Sequence, residues 1–338
     1  MTSYEERPTP PVEEQSHGAP EAPATPPIEN QTTPPIEDEV SQPMEERVHS
    51  TYRYLRVIAV LPAVWLLLAM AVVWVVRGEV FDSISDYYGG PLRDVFVGAL
   101  MASGICLVAY KGESKLEDYA LNFAGINAFF VALVPNSFPD LLDEASAAED
   151  AGEPLAVGSA DLLQNLGIAV GTFVVVVGIF IVVDSLFFKW TRFSWAEQGR
   201  LANVLIGLSW VAEIVLAGVV LFVVVTTLAG DESTWAFTAV HFGAASLLVL
   251  NLAFAAASHA FPGRLRTAAD APADPRKIVA AFRFIVIAMT LGIVAACIAI
   301  PADVPYAVIA VEVWEIVLFI IFWILATRSE WRRAGAPA

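Results

Sequence analysis

Residues 166–187 read LGIAVGTFVVVVGIFIVVDSLF, twenty-two residues with one ionisable side chain, Asp184. As a helix this run would extend about 33 Å at 1.5 Å per residue, enough to cross the roughly 30 Å hydrocarbon core of a bilayer. Only helices and closed β-barrels satisfy their backbone groups in lipid. Barrel strands alternate apolar with polar residues, whereas this run is continuous, so a spanning helix is predicted.

Seven further runs have the same character: 56–76, 93–110, 119–134, 202–228, 236–258, 279–300 and 306–326. The third is the shortest and carries Asn122 and Asn127. The composition agrees, with 57% hydrophobic residues, 16% charged residues and a mean hydropathy of +0.63, outside the range of soluble domains. The expected fold is therefore an all-α integral membrane protein, a bundle of about eight transmembrane helices over residues 51–328.

Orientation follows from Lys and Arg near the ends of the runs. Alternate loops hold Arg47, Arg53 and Arg56; Lys111 and Lys115; Lys189, Arg192 and Arg200; Arg264, Arg266, Arg276 and Lys277; and Arg328, Arg332 and Arg333. The other loops hold Arg77 and Arg93. Fifteen against two predicts cytoplasmic N- and C-termini, with residues 329–338 a short cytoplasmic tail. The outer side is acidic, and its longest loop, 135–165, has a helical stretch at LLDEASAAED.

The formal charge is -17. Residues 1–50 supply -9 of it, from 11 acidic and 2 basic side chains. They repeat TPPVEE, TPPIEN and TPPIED from Thr9, Thr25 and Thr33, then SQPMEE from Ser41. Proline and mutually repelling glutamates prevent a packed core, so a disordered cytoplasmic tail is expected, a spacer or a dock for a cytosolic protein. No basic stripe exists to meet nucleic acid. No apolar signal-peptide core precedes the first run, so no cleavage is expected.

Ionisable side chains inside spans are costly and mark candidate sites. These are Glu213 in the fifth run, His241 in the sixth, and Glu312 and Glu315 in the eighth, with Asp184 and Arg283 nearer the cytoplasmic ends. The spacing of three places Glu312 and Glu315 on one helix face, roughly 9–14 Å below the outer surface at 1.5 Å per residue; His241 lies at similar depth. Between the first two runs VFDSISDYYGGPLRDVFVG, residues 80–98, sets Tyr87, Tyr88, Arg93 and Asp94 at the same outer mouth. Arg93 is a candidate partner for Glu312 or Glu315, and Pro91 suits a first helical turn. The expected site is an outward-facing polar cavity lined by Tyr87, Tyr88, Arg93, Asp94, His241, Glu312 and Glu315, with Glu213 deeper. One histidine with these carboxylates matches no metal-ligand signature, and neither a metal nor a cofactor is assigned. Cys106 and Cys297 lie in apolar runs and read as core thiols; His259 reads as interfacial. No GxSxG elbow, P-loop or GxGxxG occurs in a suitable context.

Residues 83–135 resemble a family of bacterial polytopic membrane proteins of unknown function. The resemblance rests on Ser-Ile-Ser-x-Tyr-Tyr at 83–88, Arg-Asp-x-Phe-Val-Gly at 93–98, Tyr-Lys-Gly at 110–112 and Asn-x-x-Gly at 122–125, with a late Glu in a Trp- and Phe-rich last span, Glu312 or Glu315. It covers about a sixth of the chain and implies the bacterial inner membrane, without an activity. Membrane hydrolases of the alkaline ceramidase and adiponectin-receptor kind hold zinc by three histidines; this chain has one well-placed histidine and no HxxxH pair in a late span, a departure from that pattern.

The expected role is to bind or move a small solute, ion or lipid headgroup, coupled to protonation of Glu213 or Glu315. Two alternatives are a membrane-embedded, metal-assisted lipid hydrolase and a non-catalytic accessory or signalling subunit.

Overall fold

The computed structural model describes residues 51, 54–90, 92–188, 199–230, 234–267, 270, 275–302 and 304–333. The repeat-bearing tail, Pro91, Lys189, Arg192 and residues 334–338 lie outside them. The described residues contain helices and no strands. The long helices are α1 (Leu61–Arg77), α2 (Arg93–Ala109), α3 (Lys115–Leu133), α5 (Ser159–Val183), α6 (Arg200–Leu228), α7 (Thr234–Ala260), α8 (Arg276–Ala299) and α9 (Ala307–Arg333); α4 (Phe138–Asp150) is a shorter helix in the expected long loop. Seven helices among the described residues are long and apolar enough to cross a membrane. The run expected as the second span is α2, which has 17 residues and a length of about 25 Å.

Six helices close a ring. α1 packs on α2, α2 on α3, α3 on α7, α7 on α8 and α8 on α9, and α9 returns to α1. α5 and α6 pair with each other on the outside of this ring, against α3 and α7. The least apolar long helix, α3, is the most enclosed: 72% of its apolar stretch is buried, against 17% for α5. Burial explains how α3 tolerates Glu117, Asp118, Asn122 and Asn127, all buried, since its neighbours rather than lipid surround it. α5 and α6 instead turn Val175, Val176, Ile179, Leu208, Ile214 and Val215 outward, an inverted pattern that only an apolar surrounding favours.

The α2–α3 crossing depends on two glycines. A Cβ on Gly125 would stand 2.7 Å from the Gly104 carbonyl oxygen, and one on Gly104 would stand 2.8 Å from the Gly125 carbonyl oxygen. The helices therefore meet backbone to backbone, the small-residue packing typical of membrane bundles. On α7, Ala253, Ala255, Ala256 and Ala260 are buried in a shared core with Phe282, Met289 and Phe322.

Several helix ends differ from their expected positions: α1 starts at Leu61 rather than 56, α5 starts at Ser159 rather than 166, and two further ends have a physical reason. α3 starts at Lys115 rather than 119, because the Ser114 hydroxyl caps it by accepting the Glu117 N–H at 3.3 Å and so satisfies one of the free amides of the first turn. α9 continues to Arg333 through the start of the expected C-terminal tail at 329, with Ser329 buried. The helical stretch expected in the long loop is α4, which buries Phe138, Leu142 and Ala145 and sets Phe138 edge-on against Phe237 of α7, with ring centroids 5.1 Å apart.

Candidate functional site

The chain leaves α1 through Gly78, whose φ of 68° lets its N–H close back on the Trp74 carbonyl, a conformation that costs other residues more. Ser83 then caps a 3-10 turn, Ile84–Gly89. Its hydroxyl accepts the Ser85 N–H at 3.1 Å, and its own N–H donates to the Asp86 carboxylate at 2.9 Å, a reciprocal capping box. Burial raises the Asp86 pKa above the usual carboxylate range; the Ser83 N–H opposes this, and the neighbouring Asp82 and Asp140 add to it.

This turn docks on the start of α9. The Ile309 N–H donates to the Asp82 carbonyl at 2.9 Å and the Tyr306 N–H to the Asp82 carboxylate at 3.3 Å. Glu312, a turn further along, accepts from the Ser83 hydroxyl at 3.0 and 3.1 Å and from the Ile84 N–H at 2.7 Å. The Ser-Ile pair is thus a cradle for a carboxylate carried on the last helix.

Beneath it, inside the six-helix ring, lies a cavity of about 420 Å³. Each ring helix contributes to its wall: Leu66 from α1, Phe96 from α2, Val131 from α3, His241 from α7, Cys297 from α8, and Glu312 with Glu315 from α9. A second cavity of about 100 Å³ continues toward Leu107 and Phe319. The two share Leu66, Leu100, Leu248, Val249, Glu315 and Ile316 as wall, so Glu315 stands at their junction.

Three candidate residues therefore share one space. The His241 ring is buried, with Nδ1 2.8 Å from the Val134 carbonyl at the end of α3. A carbonyl can only accept, so Nδ1 carries a proton. Glu315 is 6% exposed, and neither carboxyl oxygen has a hydrogen-bond partner. Gly292 of α8 makes its place, because a Cβ there would collide with the Glu315 carboxyl. Trp314 turns away and donates its indole N–H to the Ala288 carbonyl at 3.2 Å.

The other candidates stand elsewhere. Tyr87 is fully buried beneath the 3-10 turn, its ring edge-on to Phe81 and its hydroxyl bonded to the Trp74 indole. Arg93 does not pair with Glu312 or Glu315; it lies over the Tyr88 ring, 4.7 Å from the ring centroid, and bonds its hydroxyl at 3.2 Å. Asp94 is exposed in the first turn of α2. None of these four lines the cavity. Glu213 is on α6, outside the ring, where it accepts from Asn127 at 2.7 Å and Asn251 at 3.3 Å, with Ser209 donating to Asn251 at 3.1 Å. It is therefore lateral to the cavity rather than its deeper end.

A charged cluster at the opposite end had no counterpart in the sequence reading. Glu117 accepts from His259 at 3.2 Å and from the Glu113 N–H at 2.8 Å. Arg266 donates to His259 Nδ1 at 2.8 Å, to Glu113 at 3.3 Å and to the Ser258 carbonyl at 3.1 Å. Since a guanidinium only donates, His259 Nδ1 is unprotonated and Nε2 holds the hydrogen directed at Glu117. Arg56 pairs with Glu113 at 3.8 Å and with Glu330, lies over the Tyr110 ring and bonds its hydroxyl. Lys111 pairs with Asp118 at 2.8 Å. His259, expected at an interface, is 1% exposed and stacked on Phe282. The readable signal was Ser114-x-x-Glu117 after a Tyr-Lys-Gly turn, a helix-start pattern.

Among the described residues no three His, Cys, Asp or Glu side chains gather so as to hold a metal ion. Comparison of the chain with protein-family models, with curated proteins and with solved structures gives no match.

Proposed function

We propose that this is an eight-span membrane protein, α2 included, that binds and moves a small solute through the ring cavity, which opens on the outer side. The fifteen-to-two bias of Lys and Arg supports cytoplasmic termini, and with that orientation the Glu312 end of the ring faces outward. The resemblance of residues 83–135 supports the bacterial inner membrane. The observation that carries the reading is the cavity itself: two carboxylates and an imidazole converge on one apolar space of about 420 Å³, the mix of apolar wall and few polar groups typical of ligand sites. The hydrolase and accessory readings draw no specific support from the described residues.

Cys297 provides the test. It is exposed and lines the cavity, whereas Cys106 is buried. Thiols react as thiolates and need water, so a membrane-impermeant maleimide added to intact cells labels Cys297 if the cavity is wet and open outward. Labelling only after the cytoplasmic face is exposed, or no labelling in either case, overturns the reading.

A further inference from the structure

The carboxylates on the cavity wall differ in what satisfies them. Glu312 has a hydroxyl and an amide; Glu315 has neither a donor nor a cation, although it is buried. The elements facing Glu315 present Ala63 and Leu66 from α1, Leu100 and Ser103 from α2, Ala128 from α3, Leu248 and Val249 from α7, and Gly292 from α8. None is charged. The titratable groups nearest along the cavity are Glu312 and His241, and neither is a fixed cation. Arg93 is held on Tyr88, and Arg56 and Arg266 are held in the opposite cluster. Burying an ionised carboxylate without a partner is strongly unfavourable, so this position favours a ligand that brings positive charge. The rest of the wall is almost entirely aliphatic or aromatic, with Ser246 and Cys297 as minor exceptions, so the ligand must also bring an apolar body.

We infer that the cavity takes a monovalent organic cation with an apolar body, an ammonium or phosphonium, whose charge is met by the unpartnered carboxylate of Glu315 at the junction of the two cavities. This rests on the solute-binding reading above and names its substrate class. Glu312 is the secondary charge at the mouth, fixed by Ser83 and Ile84. Such a cation has two sources, a free solute or the amine headgroup of a lipid.

The test uses the full chain purified in detergent, with tetraphenylphosphonium and the neutral, similarly shaped triphenylphosphine oxide as probes. Binding is read by equilibrium dialysis against micelle blanks. Wild type should bind the cation, and Glu315→Gln should weaken that binding roughly tenfold or more, the scale expected when one partner of a buried charge pair is removed, while leaving the neutral probe unchanged. Retained neutral binding shows that the variant is folded. Ala296→Phe, which fills the cavity from α8, should remove both. If wild type fails to bind the cation, or Glu315→Gln binds it as wild type does, the inference is overturned. In the latter case, loss with Ala296→Phe leaves the cavity reading standing, whereas retention removes that as well. Repeating the titration in nanodiscs separates the sources through the ratio of wild-type to Glu315→Gln affinity, which cancels the attraction of anionic phosphatidylglycerol for the cation: an equal ratio in phosphatidylethanolamine and phosphatidylglycerol assigns a free cation, and a smaller ratio in phosphatidylethanolamine assigns a competing headgroup amine.

Discussion

The two ends of the helix ring treat buried carboxylates in opposite ways. At the Tyr110 end Glu113, Glu117 and Asp118 each have a cationic or imidazole partner, and Arg56 and Arg266 bridge helices that are far apart in sequence. At the Glu312 end the same chemical group is met by a serine and an amide, or by nothing. A buried ion pair roughly balances desolvation against Coulomb attraction, and is costly mainly when one partner is lost. The first end is therefore a fixed joint. The second keeps unspent electrostatic attraction beside a cavity, which is the condition a binding site requires.

The largest expected effect comes from breaking the joint. Arg266→Ala leaves Glu113 and His259 without a shared donor, and should lower stability by about 3–5 kcal/mol, read as a fall in the thermal transition of the detergent-solubilised protein. A fall of only a few tenths would mean that solvent already screens this end, and the contrast between the ends would collapse.

The opposite sign is expected at the cavity. Glu315→Leu removes a buried carboxyl that has no partner, so stability should rise by about 1–3 kcal/mol while cation binding is lost. Destabilisation by that variant would show that Glu315 holds the structure together, as Glu117 does. A smaller effect belongs to the cradle: Ser83→Ala removes one hydroxyl donor to Glu312 and the cap of the 3-10 turn, for a loss of about 1 kcal/mol. When Glu312 is already Leu the share owed to the Glu312 bond should vanish and only that of the cap remain, and a double-mutant cycle measures this.

What could be read from the sequence divides along the same line. Apolar continuity located the long helices, because lipid imposes one requirement on every residue of a lipid-facing span. It failed at the start of α3, where Glu117 and Asp118 are helical and buried because other helices, not lipid, enclose them. Hydropathy does not encode which helices are neighbours, so the ring and the exclusion of Glu213 from it could not be anticipated. Glu312, Glu315 and His241 were legible from depth alone. Ser83 was not, since a loop serine gives no signal until its partner, 229 residues away, is known. Arg93 was misplaced for a related reason: a cation at the mouth pairs with the nearest stable surface, here the Tyr88 ring five residues earlier in the same turn-to-helix junction, rather than reaching a carboxylate that the backbone already satisfies.

The smallest effect concerns Asp86, whose pKa is raised mainly by burial beneath the cradle. A carboxyl with a higher pKa folded than unfolded binds its proton more tightly in the folded state. Its contribution to stability is therefore present at low pH and is lost as pH rises from the ordinary carboxylate value through the raised one. Asp86→Asn keeps an acceptor for the Ser83 N–H but cannot ionise. The variant should show a flatter dependence of thermal stability on pH across that interval, with its advantage over wild type appearing only on the alkaline side. Partial exposure of Asp86 keeps the effect below that of Ser83→Ala. If the wild-type protein instead gained stability relative to the variant as pH rose, the Ser83 N–H would outweigh burial, and the cradle would be built to hold a charged Asp86 as firmly as it holds Glu312.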